Sequence, residues 1–110
     1  MTRISFLATG RGFGKKIVLD DVLNSHNDMV GFYVIYHPQM SKYCISDDGN
    51  TLFDINPDIK EPTEDVMKIL DKYGIDILPN GAFILLSENY ELPEKESAFA
   101  KALTEIAGLK

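Results

Sequence analysis

The chain has 110 residues, 45% of them hydrophobic and 25% charged, a balance typical of soluble domains and too apolar for wholesale disorder. That length fits one compact domain, 1–110, and no apolar run approaches the roughly 20 residues that a membrane-crossing helix needs. The net charge of −6 is unevenly spread. Residues 1–16 hold Arg3, Arg11, Lys15 and Lys16 and no acid, so they carry +4, and residues 17–110 carry −10; a body this acidic repels phosphate backbones and argues against broad nucleic-acid binding.

Arg3–Ala8 is rich in β-formers and reads as a strand. Thr9–Gly14, with three glycines, reads as a turn into a second β-type run, Lys15–Leu19, so the two make a hairpin. Asp20 and Asp21 form an acidic pair at a solvated strand end, and Val22–Asp28 is polar and turn-like. Met29–His37 has the strongest strand pattern: Val30, Phe32, Val34 and Tyr36 share one face, while Tyr33 and Ile35 make the other apolar as well. A strand of this kind belongs in the middle of a sheet covered on both sides, or at an interface.

Lys42–Ser46 is the next strand. Asp47-Asp48-Gly49-Asn50 reads as a tight turn returning through a short strand at Thr51–Asp54, and Asn56–Pro62 as a loop. Thr63 is placed as a helix N-cap, with Glu64 and Asp65 in the first turn. Val66, Ile69, Leu70 and Tyr73 form the buried stripe and Gly74 the stop. Ile75–Leu78 and Ala82–Ser87 flank a hairpin turn at Pro79-Asn80-Gly81. Pro93 opens a second helix with its stripe at Phe99, Ala102, Leu103 and Ile106, closed by Gly108. The expected fold is α+β: a mostly antiparallel sheet of five to seven strands with two amphipathic helices packed on one face. Two helices cover one face only. The second apolar face of Met29–His37 then calls for a folded-over hairpin or a second subunit.

No motif demands a cofactor. The one cysteine, Cys44, makes neither an internal disulfide nor a cysteine metal cage, and it reads as a small hydrophobe in a strand. The N-terminus is too polar for a signal peptide, so a reducing, cytoplasmic setting is expected. Gly10–Lys16 resembles a phosphate loop only superficially. Thr9 stands where a P-loop has its first glycine, Lys16 where it has Ser or Thr, and Lys15 where a dinucleotide fingerprint needs glycine. The segment remains a cationic turn with Arg11, Phe13 and Lys15 as contact candidates. Ser25, His26 and Asp28 are too close in sequence to align as nucleophile, base and orienter. His26 and Asp28, meeting Asp47 and Asp48 across a sheet, are nitrogen and oxygen donors of the kind that bind a divalent ion. Turn chemistry, a capping histidine with Asx-turn aspartates, is the plainer reading, and no metal is assigned.

These segments resemble an uncharacterised bacterial family, domain of unknown function 1828. The likeness rests on Asn24-Ser25-His26-Asn27-Asp28 and the aromatic strand Gly31–Tyr36. It continues through Ser46-Asp47-Asp48-Gly49-Asn50-Thr51 to the helix end Ile69-Leu70…Tyr73-Gly74-Ile75. It runs from about Ile17 to the C-terminus and leaves the basic glycine loop outside. The resemblance implies a small α+β fold, often in a phage or mobile-element setting, and no activity. It adds weight to His26, Asp28, Asp47 and Asp48 as a polar site.

The function expected is that of a small acidic, non-enzymatic binding protein that docks on a basic protein surface. The groove of a nucleic-acid-binding enzyme is one such surface, and a phage-encoded, anti-CRISPR-like inhibitor of a host defence nuclease is the sharpest form of this reading. Arg11, Phe13, Lys15, His26, Asp28, Asp47 and Asp48 are its candidate contacts. One alternative is a metal-assisted hydrolase or nucleotide-processing domain using His26, Asp28, Asp47 and Asp48. Another is a regulatory or antitoxin-like module that forms a homodimer through the spare face of Met29–His37.

Overall fold

The alternation of Met29–His37 organises the tertiary structure. The computed structural model describes residues 2–9, 12–23, 29–47, 51 and 62–109. Over these, six strands form one sheet: β1 (Thr2–Thr9), β2 (Gly12–Leu23), β3 (Met29–His37), β4 (Lys42–Ser46), β5 (Asp76–Ile77) and β6 (Phe83–Ser87). Their order is β1-β2-β3-β4-β6-β5, and every neighbouring pair is antiparallel. Besides the helical backbone at Thr51, two helices among the described residues belong to the α+β fold, α1 (Glu64–Tyr73) and α2 (Leu92–Ala107), the second entered through a 3-10 turn at Asn89–Glu91.

Register brings one apolar face together. Ile17 pairs with Phe32, Val34 with Ile45 and Ile45 with Leu85, and all five are buried. On α2, Phe99, Ala102, Leu103 and Ile106 recur at helical spacing and are buried too. The helix packs against β2, β4 and β6, and the Phe99 ring meets Phe32 at 5.2 Å between centroids, tilted by 52°. Helix α1 packs on α2 and adds Val66 and Leu70 to the same core. Burying an aromatic or aliphatic side chain of this size is worth about 1.5–3 kcal/mol, so Phe32, Phe83 and Phe99 are principal anchors.

The ends of α1 follow local rules. Thr63 is extended and its side-chain oxygen accepts the Val66 N–H at 3.3 Å. Gly74 takes a left-handed φ of 69°, where its N–H turns back to the carbonyls of Leu70 and Asp71; a residue with a Cβ is strained there. Gly108 closes α2 as expected, with a right-handed φ of −79°.

Several expectations need correction. The β1–β2 hairpin forms, but β2 begins at Gly12, inside the expected turn, and runs on to Leu23. Asp20 and Asp21 therefore lie within a strand, where pairing to β3 slips between Leu19 and Leu23 as at a β-bulge. Thr51 has helical rather than extended backbone, and residues 52–54 lie outside the described residues. The far side of β4 is filled by β6, about forty residues later in the chain, rather than by a returning Thr51–Asp54 strand.

Gly31 sits where β2 and β3 approach closely: a Cβ there would meet the Ile17 carbonyl oxygen at 2.9 Å. We predict that Gly31→Ala lowers the unfolding free energy by about 1–3 kcal/mol in urea melts. A second prediction concerns the contact between helices. Glu105 of α2 accepts hydrogen bonds from Lys72 and Tyr73 of α1, and these bonds, Lys72 first, hold its carboxyl below the ordinary carboxylate range. A lowered carboxyl stabilises the fold above its unfolded value and loses that contribution as pH falls through the folded one. Glu105→Gln should therefore melt below the native chain at neutral pH, with the gap closing in acid.

Candidate functional site

Asp47, directly after β4, is the one member of the proposed His–Asp cluster among the described residues. Its side chain has no solvent exposure. Oδ1 accepts the Phe83 N–H at 2.8 Å and Oδ2 accepts the Thr51 N–H at 3.0 Å. The carboxylate thus joins the end of β4 to the start of β6, supplying a charged acceptor where regular ladder bonding stops. This gives a structural account of Asp47, with its oxygens directed at backbone donors inside the fold. Arg11, His26, Asp28 and Asp48 lie outside the described residues. Among those described, no three His, Cys, Asp or Glu side chains are grouped so as to hold a metal ion.

The basic hairpin divides its lysines between the two faces of the sheet. Lys15, opposite Val34, turns toward α2, where its Nζ lies 2.6 Å from Glu96 Oε1. That oxygen is buried and the contact is an ion pair rather than an aligned hydrogen bond. Lys16, on the opposite face, has its ammonium 5.5 Å from the centroid of the Tyr33 ring, within cation–π range. Phe13 lies in β2 opposite Ala8; its side chain is outside the described residues. Of the contact candidates, Lys15 is therefore engaged within the fold.

The second face of the sheet is the larger feature. Val18, Tyr33, Ile35, Cys44 and Ile84 are half-buried there and Leu86 is 42% exposed. Tyr33 and Ile35 were legible from alternation alone, but their neighbours Cys44 and Leu86 were not, because they reach the patch only through the β3–β4–β6 register. Burial pushes the Cys44 thiol up, so at neutral pH it is a protonated thiol and not an activated nucleophile. Among the described residues, no helix is long and apolar enough to cross a membrane.

The family model described as Domain of unknown function DUF1828 matches residues 22–106. Neither the curated proteins nor the solved structures contain a match. The matched span begins near the end of β2, later than the Ile17 boundary expected from the motifs.

The geometry at Asp47 yields a prediction that separates a structural carboxylate from a metal ligand. Asp47→Ala leaves the Phe83 N–H without its acceptor and should cost about 1–3 kcal/mol of stability. Adding Mg²⁺ or Mn²⁺ should leave the melting temperature of the native chain unchanged. A metal-induced rise that vanishes in Asp47→Ala would establish the ligand role instead.

Proposed function

The chain belongs to the family Domain of unknown function DUF1828, and we propose that it is a small acidic binding protein, not an enzyme, that docks on a basic protein surface. The observation that carries this reading is how charge is used. Lys15, Lys42, Lys68 and Lys72 each lie against a glutamate: Glu96, Glu88, Glu64 and Glu105 respectively. Asp65, Asp71, Asp76 and Glu94 are exposed to solvent. Each such pair cancels one acid with one base and leaves the net charge of −6 unchanged, so exposed, unpaired acids give the molecule an anionic exterior. Such a field raises the encounter rate with a cationic surface and fixes orientation on it.

A nucleic-acid enzyme keeps a basic groove for phosphates, and an anionic domain of this size competes for such a groove by occupying it. The sharpest form of the proposal is a phage-encoded, anti-CRISPR-like inhibitor of a host defence nuclease, acting in the cytoplasm. In this picture both amphipathic helices lie on one face of the sheet and carry Asp65, Asp71 and Glu94 outward.

The test is a pull-down from host lysate with stepped salt washes. The native chain is set beside a triple variant carrying Asp65→Asn, Asp71→Asn and Glu94→Gln. The expected result is a basic protein retained at low ionic strength, released as salt rises, and recovered more weakly by the variant. Recovery of no basic protein, or recovery indifferent to salt and to the variant, overturns the proposal.

A further inference from the structure

We propose that a second copy of this chain covers the second face of the sheet, stacked on it about a two-fold axis that runs along β4. Two rows of residues define the face. Strand register aligns Lys16, Tyr33, Ser46, Ile84 and Asp76 across β2, β3, β4, β6 and β5. The next row is Gly14, Ile35, Cys44 and Leu86. Strand alternation turns both rows away from the buried Ile17, Phe32, Val34 and Ile45. The middle of the patch is apolar, and Leu86, at its edge, is 42% exposed.

The charges identify the occupant. The first row starts with a cation, Lys16, and ends with an anion, Asp76, which is exposed. Rotation by 180° about an axis along β4 reverses the row and keeps the strand direction. Lys16 of each copy then lies over Asp76 of the other, so the ion pair is made twice. Tyr33 faces Ile84, Ile35 faces Leu86, and Cys44 faces its own equivalent. A two-fold interface must be self-complementary, and this arrangement meets that demand in both charge and apolar content. Moving the axis to the β3–β4 boundary would set Lys16 over apolar Ile84 and unpair the charges. The same face suits a basic partner poorly, because Lys16 and, in the following row, Lys42 beside His37 both stand on it. Dimerisation and docking on a basic protein therefore use different surfaces, and the purified chain alone tests the first.

Sedimentation of the purified full chain across a wide concentration range should give twice 12.3 kDa at its upper end. Leu86→Lys, at an exposed position that leaves the core intact, should give the single-chain mass with an unchanged far-ultraviolet spectrum. Lys16→Glu should weaken the dimer roughly tenfold, since two ion pairs become repulsive, and combining it with Asp76→Lys should restore the native affinity. Stacked sheets lie about 10 Å apart, beyond the roughly 7 Å between Cα atoms that a direct disulfide allows, so oxidation should leave the native dimer without a Cys44–Cys44 link. A single-chain mass at every concentration overturns the proposal. So does a dimer that Leu86→Lys leaves intact, or a double charge exchange that restores nothing.

Discussion

The structure depends on a strand that is apolar on both sides. β3 needs Phe32 and Val34 covered, and α2 meets that need: Phe99 lies against Phe32 and the rest of the α2 stripe seals the core. The same period of two sends Tyr33 and Ile35 the other way. One sequence pattern thus creates the hydrophobic centre and the surface patch together, and neither can be altered by sliding the register without inverting both.

Sheet continuity beyond β4 rests on a different interaction. The chain leaves β4, and the strand that completes its far side arrives only at Phe83. Asp47 bridges that junction, one oxygen on the Phe83 amide and the other on Thr51. A buried carboxylate is costly to desolvate and is tolerated where donors converge on it. Its placement explains how a residue that reads as turn chemistry is also a long-range contact.

Much of the fold was legible because it is local. The Thr63 cap, the left-handed Gly74, the helix stripes and the alternation of β3 all follow from residues within one or two turns or strand steps of each other. What was not legible is non-local. The pairing of β4 with β6 carries no spacing signal, and Ser46–Thr51, which suits a hairpin, led to a strand expected at Thr51–Asp54. The candidate site shares this division. Asp47 was singled out as polar, but whether its oxygens face solvent or the backbone is decided by Phe83, far along the chain. Lys15 was read as a loop cation from its neighbours, whereas its charge is met by Glu96 on α2.

The family span opens at residue 22, yet Ile17 and Leu19 belong to the core, and Lys15 reaches across to the second helix. The core of this molecule therefore extends beyond the span that the family model matches. Trimming the chain to that span would strip β3 of its neighbour, baring a long row of amide and carbonyl groups along an apolar strand. A raw border of that kind recruits strands from other molecules into fibrous stacks; in the intact chain β2 occupies it and the open edge passes to β1.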